Sequence, residues 1–151
     1  MKIYGAYGSN LNLEQMSERC PGAKTVGVVW LEDWRLCFRG MPGRTYLSIE
    51  PAKGNRLPLG LWSIDDAQGS ALDEYEDYPD LYDKLTMNLD VKMSDGTQQS
   101  VSVLVYVMVD GLPYNFPSNS YIEVCRHGYR DFGLDPVLID RALELSKKNK
   151  E

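Results

Sequence analysis

At 151 residues the chain has the length of one domain and can bury a core. Apolar residues make up 43 % and charged residues 25 %, a globular balance that excludes a disordered chain, and no apolar run approaches the ~18 residues of a membrane span. The net charge of −6 has the wrong sign for a general nucleic-acid binder, which needs a basic face to displace counterions. The excess acid is concentrated: residues 61–97 hold ten Asp and Glu against two Lys. A solvated acidic face is the ordinary reading of such a block. The chain reaches Gly8-Ser9-Asn10 too soon for a signal-peptide apolar region, and its three cysteines, Cys20, Cys37 and Cys125, are odd in number. Free thiols in the cytoplasm are therefore expected, with no membrane and no nucleic-acid partner. No repeat, low-complexity tract or linker divides the chain, so residues 1–151 are read as a single domain.

In chain order, Ile3–Tyr7 is a short strand. Asn12-Leu13-Glu14-Gln15 has capping-box spacing and Pro21-Gly22 supplies a stop, so a helix of about two turns lies between them. Thr25–Leu31 and Trp34–Arg39 are apolar, β-branched and aromatic runs, predicted as a hairpin turning at Glu32-Asp33. Met41-Pro42-Gly43 breaks the chain. Tyr46–Glu50 and Leu59–Ser63 are the next strands, with a turn at Lys53-Gly54-Asn55. Ser63 is the predicted cap of a helix from Ile64 to about Glu76, with Asp65 and Asp66 in its first turn. Leu85, Met87, Leu89, Val91 and Met93 alternate with polar residues. Val101, Val103, Val105, Val107 and Val109 do the same across an Asp95-Gly96 turn, which predicts a long antiparallel hairpin. Ser120-Tyr121-Ile122-Glu123 has capping-box spacing for a helix ending near Gly128. Asp135-Pro136 opens a last helix with Leu138, Ala142 and Leu145 on one face, and the tail Lys147–Glu151 is expected to fray. Six to eight strands joined mainly by tight turns, with about four short helices, favour an antiparallel or mixed barrel-like sheet over a doubly wound one.

Several reaction classes lack their residues. His127 is the one histidine, and the cysteines show no close pairing, so an imidazole- or thiolate-built metal site is not expected. There is no Gly-x-Ser-x-Gly elbow, no phosphate-binding Gly-x-x-x-x-Gly-Lys-Ser/Thr loop and no Gly-x-Gly-x-x-Gly fingerprint. Cys125-Arg126-His127 could activate a thiolate. Adjacent helical residues point in different directions, however, and a buried small apolar role for Cys125 is the commoner one.

Two segments remain. In Tyr4-Gly5-Ala6-Tyr7-Gly8-Ser9-Asn10-Leu11 a strand runs into a small, hydrogen-bonding turn before a helix. The N–H groups of such a turn can cradle an anion or an oxyanion, and glycine allows close approach. A plain capping turn built on Ser9 and Asn10 accounts for the same residues. In Leu72-Asp73-Glu74-Tyr75-Glu76-Asp77-Tyr78-Pro79-Asp80-Leu81-Tyr82, carboxylates and tyrosines crowd a helix end. Acid there opposes the helix dipole, and Asp73 and Asp77 lie close in sequence, so Glu76 is expected to have a raised pKa. Such a carboxylate can serve as base and acid near neutrality; a solvated acidic helix end is the alternative.

Tyr7-Gly8-Ser9-Asn10, Leu72-Asp73-x-x-Glu76 and Tyr78-Pro79-x-x-Tyr82 together resemble the γ-glutamylcyclotransferase-like family. Val105-Tyr106-Val107-Met108, Pro117-Ser118-x-x-Tyr121 and Gly128-x-x-x-x-Gly133-Leu134 follow in the same order, so the resemblance spans about residues 3–140. It implies a small mixed α+β domain around a barrel-like sheet. It puts the catalytic glutamate at Glu76 and the substrate loop on Tyr4, Gly5, Ala6, Tyr7, Gly8, Ser9 and Asn10. A further pocket tyrosine falls at Tyr121, with Tyr82 and Tyr106 lining the cavity. Many members carry glycine directly after the catalytic glutamate, where this chain has Asp77; aspartate tolerates φ > 0 better than most residues.

The activity so implied is cyclisation of a γ-glutamyl amide. The substrate's α-amine attacks its own γ-carbonyl and releases 5-oxoproline and an amine, with no protein nucleophile, metal or cofactor. The rival expectation is a non-catalytic binding module on the same fold.

Overall fold

The computed structural model describes residues 2–93 and 95–150. Five strands form one sheet: β1 (Lys2–Ala6), β2 (Lys24–Met41), β3 (Arg44–Ile64), β4 (Tyr82–Lys92) and β5 (Gln98–Met108). Their order is β2-β3-β1-β5-β4. Pairing is antiparallel except between β1 and β5, which run parallel at Ile3↔Val103 and Tyr4↔Leu104. The sheet curls so that β2 and β4, at opposite ends of this order, come into contact. Four α-helices accompany it among the described residues: α1 (Leu13–Arg19), α2 (Asp66–Tyr75), α3 (Asn119–Asp131) and α4 (Val137–Ser146). This is the mixed, mostly antiparallel α+β architecture expected from the sequence. No helix of the described residues is long and apolar enough to cross a membrane.

The β4–β5 hairpin pairs Leu85 with Val105 and Leu89 with Val101, as the alternation requires, although Ser94, before its predicted turn, lies outside the described residues. Two other predicted turns are corrected. Glu32-Asp33 does not reverse the chain. β2 runs straight through it, with Asp33 at φ 65°, and the register jumps from Glu32↔Arg56 to Trp34↔Pro51. Residues 52–55 of β3 thus face the single residue Asp33, and the Gly54 N–H donates to the Asp33 carboxylate at 2.9 Å. Both predicted turns, Glu32-Asp33 and Lys53-Gly54-Asn55, are the two sides of one bulge, which adds twist without ending either strand. The reversal comes at Pro42-Gly43, between the paired Met41 and Arg44, with Gly43 at φ 80°. Four predicted strands therefore merge into two long ones.

Helix starts also shift. Asp65, not Ser63, caps α2: it accepts from the Gln68 N–H while the Gln68 side chain accepts from the Asp65 N–H, a full capping box. Ser118, not Ser120, caps α3, which continues past Gly128 to Asp131. Gly128 is not a stop but a contact. A Cβ there would lie 2.6 Å from the Asn12 nitrogen, so its absence lets α3 press against the chain at 11–12. Asp135 accepts from the Val137 N–H at the start of α4. The tail forms a 3₁₀ turn over Lys147–Lys150, and Glu151 lies outside the described residues.

Candidate active site

The segment leaving β1 is fixed from several sides. Ser9–Leu11 form a 3₁₀ turn in which the Leu11 N–H returns to the Gly8 carbonyl and the Asn12 N–H to that of Ser9. The N–H groups of Gly8, Ser9 and Asn10 are therefore not spent on the turn itself. Tyr129 donates its hydroxyl to the Tyr7 carbonyl at 2.9 Å, and the Trp62 indole donates to the Asn10 carbonyl at 3.0 Å. The Asn12 side chain caps α1 through the Gln15 N–H and also donates to the Val124 carbonyl on α3. Arg19, at the end of α1, donates to Asn10 Oδ1 at 2.6 Å and to Ser9 Oγ at 3.3 Å, with its guanidinium stacked 3.8 Å over Tyr75.

Glu76 arrives on the C-cap of α2. The helix closes by a Schellman motif: the Tyr78 N–H reaches back to the Asp73 carbonyl at 2.9 Å and the Asp77 N–H to that of Glu74 at 3.2 Å. This motif needs a left-handed residue just past the cap, and Asp77 supplies it at φ 55°. The position where many family members carry glycine is thus a backbone requirement that aspartate meets. The turn swings Glu76 inward, where Asn10 Nδ2 donates to its Oε1 at 3.3 Å.

The two segments meet in a cavity of about 160 Å³ lined by Tyr4, Tyr7, Gly8, Ser9, Asn10 and Glu76, together with Tyr82, Tyr106 and Tyr121. Residues more than 110 apart in sequence share one chamber. Gly5 and Ala6 do not line it. A Cβ on Gly5 would lie 2.9 Å from Val103, and Ala6 is fully packed, so these two serve the sheet rather than the chamber.

Enclosure pushes the Glu76 carboxyl from its usual 4.5 up to about 7, with Arg19 pulling the other way. The expected cause was different and is corrected. Asp73 is engaged by Lys84 at 2.7 Å and by the Tyr106 hydroxyl, and Asp77 points to Arg44 at the rim, so neither neighbour drives the shift.

The buried tyrosines divide by where their protons go. Tyr7 donates to the Tyr106 carbonyl, Tyr82 to the Leu47 carbonyl and Tyr106 to Asp73. Those three are committed. Tyr4 instead accepts from Asn10 Nδ2 at 2.9 Å, and Tyr121 accepts from the Leu47 N–H at 3.1 Å with the Cys125 thiol, a weak acceptor, as its other neighbour. Tyr4 keeps its hydroxyl proton to give, and that of Tyr121 is held only by the weak sulfur acceptor of Cys125.

Elsewhere, burial pushes the Cys125 thiol up to about 12, which agrees with the packing role rather than an activated thiolate. His127 pairs with Asp131 at 3.3 Å on the exposed side of α3. No group of three or more His, Cys, Asp or Glu comes together among the described residues. Arg19, Arg44, Tyr46 and Tyr75 were not picked out from the sequence. Tyr75 adjoins Glu76 in the crowded helix end, but the other three carry no local signal and are recruited by the fold.

A protein named γ-glutamylcyclotransferase from Homo sapiens is 26 % identical over 141 residues, which cover 87 % of this chain and 72 % of that one. A solved γ-glutamyl cyclotransferase structure superposes with a TM-score of 0.71 at 23 % identity, over 99 % of this chain and 86 % of its own. A Homo sapiens protein described as uncharacterized gives 0.73 at 24 % identity and the same coverage. The two structures speak to the fold, which they share with this chain. Residues 4–123 match the pattern of the family described as gamma-glutamyl cyclotransferase, AIG2-like, and the chain belongs to that family.

Proposed function

We propose that this protein is a γ-glutamylcyclotransferase-type enzyme. In this reading it cleaves a γ-glutamyl amide by intramolecular attack of the α-amine and releases 5-oxoproline and an amine. The observation that carries the reading is Glu76: an enclosed carboxyl held at about 7, in one small cavity with a turn whose N–H groups face no partner within the turn. A general base is most useful when its pKa lies near the working pH.

The chemistry follows from these groups. Ionised Glu76 takes a proton from the substrate α-ammonium. The freed amine attacks the γ-carbonyl and forms the C–N bond of a five-membered ring. The oxygen of the tetrahedral intermediate carries the developing charge. The Tyr4 and Tyr121 hydroxyls and the Gly8 and Ser9 N–H groups are the donors for that oxygen and for the substrate α-carboxylate; one such donor contributes ~3 kcal/mol in comparable sites. Glu76 then returns its proton to the departing nitrogen as the old C–N bond breaks, and the ionised carboxylate takes the surplus proton from the ring nitrogen and passes it to the released amine, which leaves as its ammonium. Holding the flexible glutamyl chain in its cyclising shape supplies much of the remaining acceleration.

The test is 5-oxoproline release from a panel of γ-glutamyl compounds. Release from at least one, lowered ~10²–10⁴-fold by Glu76→Gln, is the expected result. A wild type inert toward the whole panel, yet binding one of its members, would favour the binding-module alternative.

A further inference from the structure

Among the described residues, the cation that lines the cavity is Arg44, at the start of β3. Arg44 stands at the mouth with its side chain 65 % exposed. Its ion-pair partner is Asp77, 53 % exposed, through one long contact at 3.5 Å in a solvent-screened place. The pair spans the rim from the β2–β3 turn to the loop that closes α2. Arginine is suited to planar carboxylates, which it grips with two parallel N–H groups, and a single contact at 3.5 Å leaves that capacity unused.

The reaction's geometry says what reaches the rim. The α-amine must meet Glu76, and the glutamyl α-carboxylate sits on the same carbon as that amine. Both therefore belong in the chamber, near Gly8 to Asn10. The chamber of about 160 Å³ is small beside the ~300–1,000 Å³ typical of drug-sized ligands, so it holds the glutamyl part. The amine that leaves is attached at the far carbon and must extend outward past Arg44.

Building on the cyclotransferase reading, we infer that Arg44 is a specificity residue that binds a carboxylate on the leaving amine, with Asp77 as an internal competitor for it. In the free protein Asp77 occupies Arg44 weakly. A leaving group that bears a carboxylate displaces it and gains a charge-assisted pair; one without a carboxylate gains nothing. Asp77 thus has two separate roles. Its backbone closes the helix, and its side chain sets how readily Arg44 accepts a ligand.

Two substrates separate these terms: γ-glutamyl-alanine, and γ-glutamyl-ethylamide, in which hydrogen replaces the leaving-group carboxylate. In Arg44→Ala the ratio of kcat/KM for the alanine over the ethylamide compound falls ~10-fold, mainly through KM, and Arg44→Lys recovers part of it. Asp77→Asn, which keeps a residue tolerant of φ 55°, raises the same ratio severalfold. High salt lowers the wild-type ratio. Equal losses on both substrates in Arg44→Ala would overturn the inference while leaving the cyclotransferase reading standing, since Arg44 would then hold the glutamyl part or only the rim. An unchanged ratio in both variants would overturn it as well. A wild type that releases 5-oxoproline from neither compound, though active on another γ-glutamyl compound of the panel, would overturn this inference alone; inertness toward the whole panel would overturn the cyclotransferase reading with it. Arg44 is largely exposed, so the variant's unfolding midpoint should match the wild type and confirm that the protein folds.

Discussion

Two carboxylates in this molecule sit among arginines and tyrosines and behave in opposite ways. Glu50, on β3, accepts from Arg35 Nε at 2.8 Å and from Arg39 at 2.7 Å, and the Tyr114 hydroxyl donates to it at 2.7 Å. Despite partial burial these donors hold its carboxyl down at about 2. Glu76 has one amide donor at 3.3 Å and an arginine acting on it only from behind Asn10, and enclosure lifts it to about 7. The same side chain is a structural clamp where its charge is fully matched and is poised to exchange a proton near neutrality where it is not. Residue type and local sequence do not separate the two; the donors each fold position brings to them do.

The largest effect should come from swapping each for its amide. Glu76→Gln should lower 5-oxoproline release ~10²–10⁴-fold, and Glu50→Gln should leave kcat within about twofold. Activity lost equally in both would erase the distinction.

Their stabilities should diverge with pH in opposite directions. Glu50 has its pKa lowered in the folded state. Its contribution is present above the usual 4.5 and is lost as pH falls toward 2. Glu50→Gln should therefore cost about 1–2 kcal/mol at neutral pH, discounted for its partly exposed partners, and less in acid. Glu76 has its pKa raised, so the folded state holds the proton more tightly than the unfolded chain. Stability then declines as pH rises from 4.5 to about 7, and Glu76→Gln should unfold at a higher temperature than the wild type at pH 8 but not at pH 4. Denaturant melts of the three proteins at pH 4, 6 and 8 measure the first, and thermal melts at the same pH values the second.

The tyrosines offer a finer division. Tyr121→Phe removes a proton that the chamber can use and should lower kcat ~10–100-fold. Tyr82→Phe removes one committed to the Leu47 carbonyl and should show mainly as lost stability. A larger kcat loss in Tyr82→Phe would reverse the assignment of donors.

Much of this was legible in the sequence because it rests on local rules. The period-2 alternation around Leu85 to Val109 set the β4–β5 hairpin, and the Asn12 cap and the crowded end of α2 were visible as spacings. What misled was chain punctuation. Glu32-Asp33 and Lys53-Gly54-Asn55 look like turns singly, and only their pairing across β2 and β3 reveals one bulge. Ser63 looked like a cap, but Asp65 formed the reciprocal bonds. Within the candidate site, Glu76, the Gly8 turn and Tyr121 carried motif signals. The reason for Glu76's high pKa did not, because enclosure is a property of the packed chamber and the adjacent acids are neutralised by Lys84 and Arg44, which are remote in sequence. Arg19 was the hardest to foresee, since it does not line the cavity itself and reaches it only through Ser9, Asn10 and the Tyr75 ring.

Arg19 therefore gives the smallest and most discriminating test. It acts on Glu76 in two ways. Its charge favours the ionised carboxylate, and its hydrogen bonds to Asn10 Oδ1 turn that amide so that Nδ2 faces Tyr4 and Glu76. Arg19→Ala removes both. Losing the charge lets enclosure push Glu76 still further above 7, so the acid limb of kcat/KM should move to higher pH by less than ~1 unit. Activity should fall a fewfold at pH 7 and recover toward wild type near pH 8.5. Losing the amide's orientation instead lowers the rate at every pH. Arg19→Lys keeps a positive charge but cannot fork to Ser9, Asn10 and Gln15 together. A lysine variant with the wild-type pH profile and a lower plateau would assign Arg19 to positioning. One with a normal plateau and a normal profile would assign it to charge alone. An alanine variant with neither change would show that Glu76's pKa is set by enclosure without Arg19.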